Sequence, residues 1–73
     1  MAASTIIVQH RDGSPCRRHR VVLGFLSGNT SEAYTNDYGE ATIMHTSVGR
    51  ATIYVSGRNV GTVHAPGRTS VVY

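Results

Sequence analysis

The residues most able to do chemistry gather in one run, His10-Arg11-Asp12-Gly13-Ser14-Pro15-Cys16-Arg17-Arg18-His19-Arg20. A cysteine becomes a nucleophile where nearby positive charge favours its thiolate, and Arg17, Arg18 and His19 are neighbours of that kind. The plainer reading takes Cys16 as a small apolar side chain filling a core, and it is the one adopted. His10, His19, His45 and His64 raise the question of a metal, since His10 and His19 flank the turn that leads to Cys16. No pair of them has the close spacing of a compact site, and a lone cysteine supplies no Cys-x-x-Cys, so no metal is expected. Serine, histidine and aspartate would furnish a triad on paper, yet no segment resembles a nucleophile elbow. A chain of 73 residues also leaves little room for an enclosed substrate pocket. The expectation is a protein that is not an enzyme and uses no cofactor.

The same run carries the only charge cluster. The formal charge is +3, and all 7 basic residues are arginine. Without lysine there is no Schiff-base chemistry and no lysine–asparagine isopeptide cross-link. Arginine is a bidentate donor to carboxylate and phosphate. Arg11, Arg17, Arg18 and Arg20, with Tyr34 and Tyr38 as stacking platforms, therefore form a candidate interaction patch for nucleic acid or another polyanion. Against this, Arg17, Arg18 and Arg20 cannot all point one way on an alternating strand, and no nucleic-acid-binding signature accompanies them. A solvated hairpin edge, whose charge also discourages strand-to-strand aggregation, is the reading preferred. Polyanion binding through the Arg11–Arg20 hairpin is kept as the alternative.

Period-two patterning supplies the elements that must hold these residues. Thr5–His10 reads as a strand with Ile6 and Val8 on one face, and Arg11–Pro15 as a turn in which Asp12-Gly13 provides positive φ. His19–Leu26 is the second strand, placing Val21, Leu23 and Phe25 together. Ser27–Ser31 reads as a polar loop, Glu32–Thr35 as a weak strand, and Asn36-Asp37-Tyr38-Gly39 as a turn. Glu40–His45 and Arg50–Ser56 follow; in the latter Ala51, Ile53 and Val55 face one way and Thr52, Tyr54 and Ser56 the other. Val60–His64 pairs back, and Arg68–Tyr73 completes the set. About seven short antiparallel strands with turn residues between them predict an all-β sandwich, a single domain over residues 1–73.

Three stretches resemble a known family. Asp12-Gly13-Ser14-Pro15-Cys16-Arg17-Arg18-His19-Arg20-Val21-Val22-Leu23 is similar to the "Gly-x-Pro-Val-x-Gly-Ala-x-Val-x-Leu" run of carboxypeptidase regulatory-like domains, which are transthyretin-like sandwiches. Thr35-Asn36-Asp37-Tyr38-Gly39-Glu40-Ala41-Thr42-Ile43 resembles that family's turn and following strand. Val48-Gly49-Arg50-Ala51-Thr52-Ile53-Tyr54-Val55-Ser56-Gly57 resembles its "Gly-x-Tyr-x-Val-x-Val" strand. Cys16, Arg18 and His19 stand where the family favours valine, glycine and alanine. In that register Cys16 and His19 lie near the inner face, and Arg18 at a position that usually tolerates only glycine. The resemblance implies no catalysis; such domains look like accessory modules that stabilise, space or dock other domains.

A chain this short buries only about 60 % of its unfolded surface, and one cysteine cannot form a disulfide within it. Self-association or docking on a partner protein is the expected supplement, and Val71, Val72 and Tyr73 form the strand edge expected to carry it. The working expectation is a structural or adaptor module, with a homo-oligomer favoured. No apolar run approaches the roughly 20 residues of a membrane helix. Met1-Ala2-Ala3-Ser4 lacks the form of a signal peptide, so a cytoplasmic location is expected for the chain as written, and an extracellular one if it is excised from a larger secreted protein.

Overall fold

A computed structural model describes residues 2–73; Met1, counted in the expected domain, lies outside the described residues. The elements are β1 (Ala2–Gln9), β2 (Arg20–Phe25), β3 (Gly28–Asn29), β4 (Ala33–Tyr34), β5 (Glu40–His45), β6 (Gly49–Val55), β7 (Arg58–Ala65) and β8 (Arg68–Val72). They form an all-β, sandwich-like pair of sheets, one ordered β5-β1-β8 and the other β3-β2-β6-β7 with β4 also on β2. Alternation drives this arrangement. Ile6 and Val8 of β1, Val21 and Leu23 of β2, Ile43 of β5, and Ala51, Ile53 and Val55 of β6 all turn inward and are buried. Burying each large aliphatic side chain contributes about 1.5–3 kcal/mol, which is what holds two small sheets together. Phe25, at the end of its row, is only partly buried against this core.

Three details differ from the sequence reading. The strands are not all antiparallel: β8 lies parallel to β1, from Thr5 beside Arg68 to Gln9 beside Val72. Every residue from β2 to β7 forms the connection between these two strands, a pairing too distant to leave a local signal. An eighth strand, β3, sits inside the expected Ser27–Ser31 loop, with Asn29 opposite Gly24 and Gly28 opposite Phe25. Finally, Arg11–Arg20 is not a hairpin between paired strands. The chain turns at Asp12-Gly13 and runs back along β1 only as far as Cys16, whose N–H donates to the Val8 carbonyl at 2.9 Å. It then crosses to the other sheet, because Val21 and Leu23 must face Ile6 and Val8 across the core rather than lie beside them.

Gly39 anchors that crossing. Its φ is +77°, and its carbonyl accepts from the Val8 N–H at 2.7 Å. A β-carbon there would lie 2.5 Å from the Val8 carbonyl oxygen and 3.1 Å from the Pro15 β-carbon. Asn36 holds the turn from the other side, its Oδ1 accepting from Tyr38 N–H at 2.9 Å and Glu40 N–H at 3.1 Å. Gly13 also has positive φ, but a β-carbon added there would meet nothing within 4 Å. Gly39→Ala is therefore expected to cost about 3 kcal/mol or more, strain plus displacement of β1 against the crossing, and Gly13→Ala about 1 kcal/mol from strain alone. Urea unfolding of both variants checks this; equal losses would contradict the clamp at Gly39.

Candidate interaction surfaces

The expected arginine patch divides in two. Arg18 pairs with Asp37 at 3.0 Å and Arg20 with Glu32 at 2.9 Å, so both are partly neutralised. Among the described residues no carboxylate pairs with Arg11 or Arg17. Arg18 adopts φ +59°, a left-handed conformation uncommon outside glycine. Thr35, fully buried, fastens this kink: its carbonyl accepts from Arg18 N–H at 3.1 Å and its Oγ1 from His19 N–H at 2.9 Å. Tyr34, opposite Arg20 on β4, and Tyr38, in the turn before β5, are both exposed.

Of the residues weighed for a metal or a nucleophile, His10 and Cys16 come together, and no third joins them among the described residues. His10 reaches Cys16, its Nδ1 and Nε2 lying 3.5 and 3.6 Å from Sγ, within hydrogen-bond range for sulfur. His19 turns the other way, donating from Nδ1 to the Arg17 carbonyl at 2.8 Å and setting its ring edge against Tyr73. Arg58 lies over the other part of this group, 5.8 Å from the Tyr73 ring centroid. No group of three potential metal-ligating side chains occurs among the described residues. Cys16 is buried, and desolvation, followed by the charge of Asp12, pushes its thiol up rather than down. A thiol held neutral is a packing side chain.

One polar pair escaped the sequence reading. Ser4 and His45, 41 residues apart, meet in the interior with Ser4 Oγ 2.8 Å from His45 Nε2. His45 Nδ1 lies 2.7 Å from the Ser47 carbonyl, an acceptor only, which assigns the ring proton to Nδ1 and leaves Nε2 to accept from the serine hydroxyl. Gly67 N–H completes the chain by donating to Ser4 Oγ at 3.2 Å. The serine is 1 % exposed, so no substrate reaches it. This network joins β1, β5 and two turns and leaves no buried side-chain polar atom unpaired among the described residues.

Two outer faces remain. That of the β5-β1-β8 sheet carries Thr5, Ile7, Thr42, Met44, Ser70 and Val72, with one ion pair, Arg68–Glu40 at 3.0 Å, spanning it. Beyond β8 no further strand pairs among the described residues. Along β8, Thr5 N–H donates to the Gly67 carbonyl and Tyr73 N–H to the Gln9 carbonyl, both at 2.9 Å. Backbone groups alternate in direction along a strand, so Thr69, Val71 and Tyr73 bond to β1 while those of Arg68, Ser70 and Val72 point off the open edge. Of Val71, Val72 and Tyr73, the first is buried, the second exposed, and Tyr73 follows the last residue of β8. The outer face of the other sheet carries Val22, Gly24, Arg50, Thr52, Tyr54 and His64.

Folding keeps a proton on Cys16 that the unfolded chain releases as pH rises through the ordinary thiol range, so this group removes stability on the alkaline side. Cys16→Val is expected to flatten the alkaline decline in urea-unfolding free energy. Iodoacetamide is expected to label native Cys16 far more slowly than the unfolded chain, and equal rates would contradict the buried-thiol assignment. The chain matches no protein-family model and no curated protein sequence.

Proposed function

We propose that this chain is a non-enzymatic interaction module that assembles with copies of itself, strand to strand, along β8. The observation that carries this reading is the row of outward backbone groups at Arg68, Ser70 and Val72 on a strand with only one neighbour. Such a row is a ready template for another strand. The surface beside it supports the reading, since its single ion pair is internally balanced and leaves no net charge to repel a copy. The two-sheet architecture and the three motifs quoted above support placing the chain with the carboxypeptidase regulatory-like, transthyretin-like modules, whose accessory character agrees with it. The burial of the Ser4–His45 pair and the neutral, buried Cys16 thiol support the non-enzymatic part of the reading. Polyanion binding through Arg11–Arg20 is the weaker reading, because Arg18 and Arg20 are already ion-paired.

Proline tests the edge cleanly. At Ser70 the lost N–H points away from β1, where an edge strand tolerates proline, but an incoming strand loses its donor and meets the ring. Ser70→Pro is expected to keep a native far-ultraviolet spectrum while weakening self-association by about tenfold or more, read by light scattering across a dilution series. Val71→Pro removes a bond to β1 and is expected to unfold the chain. A wild-type chain that stays at its 7.9 kDa monomer mass at millimolar concentration would overturn the proposal, as would a folded Ser70→Pro variant that assembles like wild type.

A further inference from the structure

The outer face of the β3-β2-β6-β7 sheet holds a groove of about 840 Å³, at the end where β2 leaves and β6 begins. Its floor depends on a missing side chain. A β-carbon on Gly24 would lie 2.9 Å from Tyr54 Cε2 and 3.1 Å from Asn29 Oδ1, so only glycine lets the tyrosine ring lie down across β2. The walls are loop tips. Leu26 is fully exposed and Val48 is 71 % exposed. A hydrogen bond of 2.8 Å between Ser27 Oγ and Ser47 Oγ ties the two tips together, so both aliphatic side chains are presented at one mouth. Arg50 projects beside them, exposed, with no carboxylate partner among the described residues.

From this geometry we infer that the groove is a binding site for a short extended peptide carrying a carboxylate next to an apolar side chain. Arg50 receives the carboxylate through its planar fork. Leu26 and Val48 receive the apolar neighbour, and the Tyr54 ring supports the peptide between them. Charge complementarity selects against a second copy of this chain as the occupant. All 4 of its acidic residues are engaged: Glu32, Asp37 and Glu40 in ion pairs, and Asp12 with the Ser14 hydroxyl at 2.6 Å. The one side-chain carboxylate of a copy that lies outside an ion pair among the described residues, that of Asp12, is flanked by Arg11 and Gly13 and so brings no apolar neighbour for Leu26 and Val48. A nucleic-acid strand fits less well, because a single unpaired arginine gives one phosphate contact and the two aliphatic side chains meet no apolar complement. This site lies on the opposite sheet from β8 and does not depend on self-association.

The test is an NMR titration of the isotopically labelled chain with acetyl-Glu-Phe-Asp-Leu-amide. The expected result is amide shifts centred on Leu26, Val48, Arg50 and Tyr54, retained in Ser70→Pro. Arg50→Ser and, separately, Leu26→Ser are expected to weaken binding by about tenfold, the scale of one charge-assisted hydrogen-bonded contact or one apolar anchor. Gly24→Ala, which displaces Tyr54, is expected to weaken it too. Three results would overturn the inference: no shifts in the groove at millimolar peptide, equal binding of the Gln/Asn analogue of the peptide, or larger shifts of the same residues with an oligothymidylate.

Discussion

The parallel contact between β1 and β8 is the constraint on which the rest of the molecule depends. β1 is the central strand of its sheet, antiparallel to β5 on one side and parallel to β8 on the other. Parallel neighbours cannot be joined by a tight turn, so the chain between them must travel out and return. That excursion supplies the whole second sheet, laid over the apolar side of the first, and returns once midway as β5 to pair with the other edge of β1. Ile6 and Val8 consequently find Val21, Leu23, Ile53 and Val55 above them, and the interior closes without a helix. The same geometry leaves β8 with one neighbour and an unused row of backbone groups.

Polar chemistry in this fold is mostly consumed in holding the two sheets in place. The Ser4–His45 chain has the composition of a catalytic dyad, but each member already has its partner and both side chains are buried. Cys16 has a histidine nearby, yet burial favours the neutral thiol and so works against nucleophilic chemistry. What remains unsatisfied among the described residues lies outside: donors and acceptors on the sheet edges, β8 among them, and arginines without acids elsewhere. Surface ion pairs such as Arg18–Asp37 contribute only about 0–1 kcal/mol, so they tune these faces more than they stabilise the fold.

The sequence made alternation visible, and with it the inward rows of β1, β2 and β6, because a strand facing a core repeats every second residue whatever lies opposite. It concealed partnership. Nothing local in Thr69-Ser70-Val71 says that its neighbour is Ile6-Ile7-Val8, or that the two run the same way. β3 was hidden because Gly28 and Asn29 pair through backbone alone. The arginine patch read as one unit along the chain, yet Arg18 and Arg20 are claimed by Asp37 and Glu32, whose positions depend on turns folded later in the sequence. The groove was invisible for a different reason. Nothing local marks Gly24 among the residues of its strand, and its purpose appears only when Tyr54 is seen lying across it.

Amide hydrogen exchange along β8, measured on dilute monomer, tests the central pairing most directly. The account requires slow exchange at Thr69 and Val71, whose N–H groups bond to β1, and fast exchange at Ser70 and Val72, whose N–H groups face water. Uniform exchange along the strand, or protection in the opposite phase, would contradict the parallel register from which both the fold and its open edge follow.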